Sequence, residues 1–397
     1  MHAGRDTLAD IVDKVHAGER LGVEDGLRLY ATPDIHTLGE LANFVREKLH
    51  GRRTCYNVNL HINYTNYCVL RCKFCSFRRS YPVTDSDAPS EGGYELGVEQ
   101  IVERARWAVR QGATEVHITG GLHPRLPFTY YLGMCGRIRQ ACPSLHIKAF
   151  TAIEIIHFAR IARPPLTVRQ VLGRLVEAGL DSLPGGGAEI FDARVHDEVF
   201  ENKVGQAGWF EVHRAAHELG VFTNATMLYG HVEGREERLN HLVKLRAHQD
   251  WAIDHAPARF NCFVPLPFIP DRSALAHLPG PTGLEDLRTL AIARLMLDNV
   301  PHVKAFWVMY TPKLAQVSID WGVDDVDGTV MRYEITREGG RAVDDQALST
   351  AQLRRMIREA GGEPVERDSR YRPIARGSSD RCVGRTAGVN QRTDTDV

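Results

Sequence analysis

The stretch NYTNYCVLRCKFC, residues 63–75, contains three of the eight cysteines of the chain: Cys68, Cys72 and Cys75. Thiolates are the usual protein ligands of iron–sulfur clusters, and one short loop can present three of them to a [4Fe–4S] cluster. The fourth iron would then be open to a small molecule. A structural zinc site is the alternative, but such sites close with four protein ligands. Cys55 precedes the strand that leads into the loop, so we expect it at the opposite end of that strand.

Around this loop, short strands alternate with amphipathic helices from about residue 57 onward. Strands are predicted at 57–63, 115–119, 146–151, 180–183, 221–227, 259–264 and 303–308. Helices are predicted at 97–111, 127–141, 167–178, 206–219, 233–249 and 284–299. Such alternation implies parallel strands with crossover helices. Six or more units in about 260 residues favour an α/β fold of the (β/α) TIM-barrel type over an open sheet.

The pattern divides the chain into four parts. Residues 1–54 are expected to form an N-terminal helical extension and residues 55–320 the barrel. Residues 321–366 form a C-terminal extension, and residues 367–397 are expected to be a disordered tail because they contain few apolar residues. The tail is therefore excluded from any catalytic role.

Bulk composition excludes several classes of function. The 397 residues carry a formal net charge of −1 and are 43% hydrophobic. A balanced charge gives no indication of a nucleic-acid or membrane-surface partner. The N-terminus has no secretory signal and no apolar run is long enough to span a bilayer, so a cytoplasmic location is expected.

Glycine and polar motifs follow several of the predicted strands. The pair Gly120 and Gly121 follows the second strand, where glycine lets backbone approach a ligand closely and a barrel places its site. Three glycines follow the fourth strand in LPGGGAE, residues 183–189, and Glu189 is a polar candidate beside them. A simple turn is the alternative for both motifs.

Five further residues are considered from their position in the predicted elements. Glu154 follows the third strand and either contacts a ligand or stabilises a helix N-terminus. Asn224 and Thr226 share one face of the fifth strand, which we expect to be the lumen face. His213 and His217 have the i, i+4 spacing of a metal pair, but no glutamate lies between them and packing is the preferred interpretation.

The cysteine spacing resembles that of the radical S-adenosylmethionine (SAM) superfamily. By this resemblance the open iron of the [4Fe–4S] cluster binds SAM, and Phe74 lies near the adenine. The resemblance also implies that Gly120 and Gly121 cradle the methionine amino group. Glu154, Glu189 and Asn224 complete the expected set of SAM-binding residues.

Residues 55–330 resemble one branch of the superfamily, the futalosine-route menaquinone enzymes and the deazaflavin enzymes. The resemblance rests on CVLRCKFCSFRR, TGGLHPRLPFTYY, LPGGGAEIF, HRAAHELG, NATMLYGHVE and RLMLDNVPHVKAFWVMYTPKLAQ. Within the branch the chain is most similar to the aminofutalosine synthase family, and the dehypoxanthine futalosine cyclases are the alternative. At the position where that family carries a glutamate pair, this chain has Arg332 and Tyr333. This difference bears on substrate binding more than on the cluster.

The synthase resemblance implies a particular reaction. The adenosyl radical from SAM adds to the enol ether of 3-[(1-carboxyvinyl)oxy]benzoate, so SAM is a consumed co-substrate and the partner is an aromatic carboxylate. An electron donor such as flavodoxin or ferredoxin is also implied. The substrate carboxylates need basic partners, and the candidates nearest in sequence are Arg78, Arg79, His123 and Arg125.

Overall fold

Three helices precede the barrel in the computed structural model, which describes residues 8–82, 90–200, 203–335 and 347–375. They are α1 (Ala9–Ala17), α2 (Val23–Ala31) and α3 (Ile35–His50). The Asp34 side chain caps α3 by accepting from the Thr37 N–H at 3.1 Å. The i, i+3, i+4 series Leu38, Leu41 and Ala42 is buried, as this spacing predicts.

Ten strands follow in the described ranges, in two hydrogen-bonded groups. They are β1 (Arg53–Asn57), β2 (Asn59–Ile62), β3 (Glu115–Ile118), β4 (His146–Ala149), β5 (Ser182–Leu183), β6 (Phe222–Tyr229), β7 (Phe260–Pro267), β8 (His302–Val303), β9 (Asp325–Gly328) and β10 (Glu363–Glu366). Strands β2 to β8 form one parallel sheet in sequence order, and β1 pairs with β9 and β10. Consecutive order is what βα units produce.

Strand β9 closes the sheet into a ring. On one side, Asp324 N–H donates to the Val303 carbonyl at 3.2 Å and Ala305 N–H donates to the Asp325 carbonyl at 2.9 Å. On the other side, Cys55 N–H donates to the Asp324 carbonyl at 2.7 Å. Counting β1 and β2 as one continuous strand, eight strands surround a lumen. The predicted barrel is confirmed.

Helices cover the outside of the ring. They are α4 (Val98–Arg110), α5 (Phe128–Ala141), α6 (Ala152–Ile161), α7 (Val168–Glu177), α8 (Ala193–Val199), α9 (Gln206–Glu218), α10 (Arg235–His255), α11 (Gly283–Met296), α12 (Trp307–Tyr310), α13 (Pro312–Val317) and α14 (Thr350–Glu359). Four of them, α6, α8, α12 and α13, were not predicted. The last predicted barrel strand is also too long, because the chain turns into α12 after Phe306.

The C-terminal segment corrects one expectation. We expected residues 367–397 to be disordered, but residues 367–375 are described and the first of them is fully buried. The Arg367 guanidinium pairs with Asp325 at 2.6 Å at the N-terminal end of the barrel. Composition misled here because one buried ion pair and one aromatic, Tyr371 stacked on His302 at 3.5 Å, fix a polar segment. Residues 376–397 lie outside the described part of the chain.

None of the helices within the described ranges combines the length and apolar character needed to cross a membrane.

Candidate active site

The three cysteines lie on a loop that leaves the C-terminal end of β2. Backbone hydrogen bonds hold this loop in place: Cys68 N–H donates to the Arg79 carbonyl at 3.1 Å. Further along, Cys75 N–H donates to the Cys72 carbonyl at 3.1 Å, so the last two thiols share one tight turn. The C-terminal ends of the strands are where barrels of this type build their sites.

The thiols fit a three-ligand iron–sulfur site. Each is half-buried and outside any disulfide, and burial raises the pKa of all three, that of Cys72 to about 12. Such thiols become thiolates only when a metal takes the place of the proton. Cys55 cannot be a fourth ligand, because it pairs in register with Asp325 at the far end of the barrel. The donor set therefore suits a [4Fe–4S] cluster with one open iron.

The glycine pair packs directly on this loop. A Cβ on Gly121 would lie 2.2 Å from the Tyr67 carbonyl oxygen, and one on Gly120 would lie 2.7 Å from the Tyr64 ring. Close approach at these positions is therefore required, but the approaching group is the protein's own loop. A role of the pair in holding the methionine of SAM stays a prediction.

Glu154 closes the N-terminus of α6 in a capping box. One carboxylate oxygen accepts from the Thr151 N–H at 2.7 Å, and the other accepts from the Tyr64 hydroxyl at 2.7 Å and the Gly120 N–H at 3.1 Å. Burial raises the pKa of this carboxyl to about 7 against the lowering effect of these donors. Both oxygens are thus engaged by the protein, as the helix-capping alternative implies, and a contact to SAM stays a prediction.

Glu189 forms a buried ion pair with Lys203. Glu189 adopts a left-handed φ of 44°, which is unusual for a residue with a side chain. The Lys203 ammonium lies 5.2 Å from the centre of the Phe74 ring, beside the cysteine loop. Burial would lower the pKa of Lys203, but the nearby Glu189 and Cys72 charges raise it. The sequence offered no spacing signal for Lys203, and we did not predict it.

A cavity of about 180 Å³ lies in the lumen beneath this end of the barrel. Its polar wall comprises His61, His117, Thr119, Lys148, Thr151, Asn224, Thr226, Lys304 and Asp327. Its apolar wall comprises Pro184, Val264, Leu266, Phe306, Tyr333 and Ile335, with Gly185 and Gly186 between. Asn224 and Thr226 face the lumen as predicted. The Thr226 hydroxyl donates to the Gly185 carbonyl at 2.8 Å and so fixes the glycine loop.

Five charged or histidine residues of this wall were missed: His61, His117, Lys148, Lys304 and Asp327. Lys148 pairs with Glu115 at 2.7 Å, and Lys304 pairs with Asp327 at 3.0 Å. The alternation of one polar residue between apolar neighbours in LHI, VHI and IKA, at residues 60–62, 116–118 and 147–149, was a usable signal. In a strand with helices outside, the odd polar residue must face the lumen.

The two lumen histidines are neutral. The His61 and His117 rings stack at 4.5 Å. Burial lowers the pKa of His61 to about 4 and that of His117 well below its usual value. They can donate or accept single hydrogen bonds but carry no charge near neutral pH.

The arginines beside the cysteine loop do not reach the lumen cavity. Arg79 donates to the carbonyls of Ser76 at 2.9 Å and Glu91 at 3.1 Å, which holds the loop together. Arg78 lines a separate pocket together with Cys72 and Cys75.

The other two basic candidates are also outside the lumen wall. His123 Nδ1 accepts from the Arg125 N–H at 3.1 Å, and its Nε2 lies 2.7 Å from the Glu95 carboxylate. The Arg125 guanidinium lies 5.0 Å from the centre of the Tyr81 ring. Proximity in sequence to the cysteines therefore did not predict which cations face the cavity.

The histidine pair on α9 is a packing feature, as preferred from the sequence. His213 Nδ1 and His217 Nε2 both lie 2.9 Å from the Thr223 hydroxyl, and His248 Nε2 lies 3.1 Å from His217 Nδ1. Both rings of the pair are fully buried between α9 and β6.

Comparison with known proteins agrees with this geometry. The model of the radical SAM superfamily matches residues 62–245, and that of the CofH/MqnC C-terminal region matches residues 258–378. The fold resembles methylornithine synthase (PylB), with a TM-score of 0.65 at 18% identity over 89% of this chain and 97% of that chain. The barrel and its three-cysteine loop are those of a radical SAM enzyme.

Related sequences narrow the class. The chain is 47% identical to the aminodeoxyfutalosine synthase of Thermus thermophilus, over 92% of this chain and 96% of that protein. It is 40% identical to the Streptomyces coelicolor protein of the same name, over 91% of this chain and 92% of that protein. A 5-amino-6-(D-ribitylamino)uracil–L-tyrosine 4-hydroxyphenyl transferase of Methanopyrus kandleri is 35% identical, over 93% and 97%.

The chain belongs to the radical SAM family that contains the aminodeoxyfutalosine synthases, which confirms the superfamily and branch identified from the sequence. Its cofactors are therefore a [4Fe–4S] cluster and SAM.

Proposed function

We propose that the chain catalyses the aminodeoxyfutalosine synthase reaction, which joins the adenosyl C5′ of SAM to an aromatic enol ether carboxylate. One observation carries the proposal: the lumen cavity combines cationic and aromatic side chains in its wall, and Tyr333 of that wall lies near Cys75 of the cysteine loop. Tyr333 thus connects the lumen cavity with the cysteine loop. Its pKa is raised first by burial and then by the neighbouring Asp327 and Cys75.

The residues of this chain supply position and shielding. When bound, the cluster supplies the electron that breaks a carbon–sulfur bond of SAM and releases methionine. Gly185 and Gly186 bring backbone to the upper edge of the cavity, and Glu189 with Lys203 forms a polar wall beside Phe74. Holding two reactants in a lumen shielded from bulk solvent favours addition over side reactions with water.

The divergent segment noted in the sequence bears on the substrate. Tyr333 contacts the Phe306 ring edge-on at 5.3 Å and lies on the cavity wall. Glu334 N–H donates to the Asn63 side chain at 3.1 Å, which ties this segment to the start of the cysteine loop. An aromatic side chain at this position offers a flat surface for the ring of an aromatic acid.

The decisive experiment follows the adenosyl group. Reconstituted enzyme is given SAM labelled in the adenosyl carbons, 3-[(1-carboxyvinyl)oxy]benzoate and a reductant under anaerobic conditions. The label is expected in the nucleoside product. Its appearance only in 5′-deoxyadenosine would contradict the proposal and favour hydrogen abstraction, the chemistry implied for the cyclase alternative.

A second assay addresses the archaeal relatives. L-Tyrosine with 5-amino-6-(D-ribitylamino)uracil replaces the aromatic enol ether, and no coupled product is expected. Turnover of that pair at a rate comparable with the enol ether would assign the chain to the transferases instead.

The proposal includes a cytoplasmic location and a small electron donor such as flavodoxin or ferredoxin. Arg71 and Lys73 are exposed on either side of Cys72, so a protein with an acidic surface is suited to approach the cluster. Substituting both with Glu should slow reduction by flavodoxin and leave reduction by dithionite unchanged.

A further inference from the structure

We propose that Lys148 and Lys304 bind the two carboxylates of an aromatic dicarboxylate that lies across the barrel lumen. This specificity role rests on the proposed function and assigns substrate recognition to two residues that the sequence did not single out. It also replaces the four basic residues near the cysteine loop, none of which lines the cavity within the described part of the chain.

The two lysines enter the lumen from opposite walls. Lys148 is on β4 and Lys304 directly follows β8, and three strands separate β4 from β8 in either direction around the ring. Both side chains line the cavity. A ligand held by both must therefore carry anionic groups at two ends and span the space between them.

The two lysine ion pairs leave a net positive charge on the cavity wall. Lys148 pairs with Glu115, which is not on the cavity wall and also accepts from the Ser369 hydroxyl. Lys304 pairs with Asp327, which is on the wall. The wall therefore presents two ammonium groups and one carboxylate, which make a net positive surface. The four charges of the two ion pairs together still sum to zero.

Each ammonium group also has donors to spare. A lysine ammonium has three N–H donors. Among the described residues, Lys148 donates to one side chain, Glu115, and Lys304 donates to one side chain, Asp327. The remaining donors of both groups can serve ligand oxygens without breaking either ion pair.

The wall between the lysines suits an aromatic ring. Phe306 stacks on His61 at 5.6 Å and contacts Tyr333 edge-on at 5.3 Å. Val264 and Leu266 form the apolar surface from β7. A benzoate with a second carboxylate on a short ether arm matches this order of cation, ring surface and cation.

Two-point binding predicts a defined selectivity. A hydrogen bond to a charged group contributes about 1.5–3 kcal/mol, so each carboxylate contact should change affinity by about 10- to 100-fold. The unreactive probe is 3-(1-carboxyethoxy)benzoate, the saturated analogue of the enol ether. Two matched probes lack one carboxylate each: 3-isopropoxybenzoate and 2-phenoxypropanoate.

The test measures binding by calorimetry to reconstituted holoenzyme with SAM and no reductant. The variants remove both members of a pair, K148M/E115Q and K304M/D327N, so that no buried charge is left alone. The control is K14M/D25N, which removes an ion pair of 2.8 Å on α1 and α2, outside the barrel. Iron content and thermal melting verify that each variant is folded and loaded.

The parent and the control should bind the dicarboxylate about 10- to 100-fold more tightly than either monocarboxylate. Each lumen variant should lose that factor for the dicarboxylate and bind one of the two monocarboxylates unchanged, a different one for each variant. Folded variants that bind the dicarboxylate as the parent does would overturn the assignment.

This result is independent of the proposed reaction, because no reductant is present and no bond is broken. If the adenosyl label appears only in 5′-deoxyadenosine, the synthase assignment is wrong. The calorimetric binding data alone then decide whether the two lysines hold the carboxylates. Label in the nucleoside together with unaltered binding in both variants would keep the reaction and remove the lysine roles.

Discussion

Two neighbouring charged regions of the barrel lumen differ in what their charges contact. At the N-terminal end, Arg367 pairs with Asp325 at 2.6 Å, and both are almost fully buried. Beside this pair in the lumen, Lys148 and Lys304 keep their ion pairs and still line a cavity. Burial and charge alone therefore do not identify a site. A site needs polar groups that retain donors toward open space.

The difference has an energetic basis. A buried ion pair adds little net stability because desolvation offsets its attraction, yet removing one partner is costly. The N-terminal end thus behaves as a closed structural plug. The cavity lined by Lys148 and Lys304 can exchange water for ligand without disturbing either ion pair.

The largest effect is expected at the cysteine loop. Cys72→Ala should abolish both cluster binding and SAM cleavage, because an iron corner loses its ligand. Iron content and absorbance near 400 nm after anaerobic reconstitution, taken with an assay of SAM cleavage, measure the effect. Cys135→Ala, at a buried position on α5, should retain both. An active Cys72→Ala enzyme would refute the assignment of the loop.

The packing of the glycine pair makes a second strong prediction. Gly121→Val should prevent cluster assembly, because its Cβ would lie 2.2 Å from the carbonyl oxygen of Tyr67, next to Cys68. The sequence alone predicts loss of SAM binding with the cluster intact. The iron content of the Gly121→Val variant distinguishes loss of the cluster from loss of SAM binding alone. Gly133→Ala on α5, where no atom lies within 4 Å of an added Cβ, is the matched control.

The plug at the opposite end should affect stability more than chemistry. Arg367→Met leaves the Asp325 carboxylate buried without its guanidinium partner, so the free energy of unfolding should fall by about 3–5 kcal/mol. Arg372→Met removes an exposed pair with Asp368 and should cost less than about 1 kcal/mol. Urea unfolding measures the loss of unfolding free energy in both variants. Equal losses would show that the Arg367 ion pair has no special structural role.

A truncation separates the plug from the end of the chain. Removing residues 376–397 should leave SAM cleavage and the urea midpoint unchanged, whereas removing 367–397 should lower the midpoint as Arg367→Met does. Loss of SAM cleavage in the shorter truncation would contradict the exclusion of the terminal residues from catalysis.

The smallest effect concerns His61 at the cavity end. Burial lowers its pKa to about 4, whereas the unfolded residue titrates near 6.5. Between these values the unfolded state binds more protons, so stability falls as pH falls. From pH 7 to pH 5 this group should cost about 2 kcal/mol of unfolding free energy. His61→Gln should reduce the pH dependence by that amount in urea titrations; an unchanged slope would contradict it.

Much of the architecture was predictable from local pattern. Strand and helix periods located most barrel units, and the cysteine spacing located the cluster loop. Helix α6 was missed because AIEIIHFARI is apolar nearly all round, with no polar face to mark its period. The order of residues 367–375 depends on Asp325, a partner far away in sequence, which no local window contains.

The candidate site was only partly predictable. Cys68, Cys72 and Cys75 carry their chemistry in their spacing, so sequence was sufficient. Lys148 and Lys304 gain meaning only from facing each other across the ring, and that depends on strand order and closure. Polar residues isolated within apolar strands were the available signal, and we applied it only to β6.

The closure of the ring through β9 has a consequence for how the protein is made. Strand β1 finds its partners β9 and β10 about 270 and about 310 residues later in the chain. At a synthesis rate of about 5–20 residues per second, the edges of β2 and β8 wait for their neighbour while the C-terminal region is translated. The nascent chain therefore exposes open sheet edges on the ribosome, and its yield in cells should depend on chaperones that cover them.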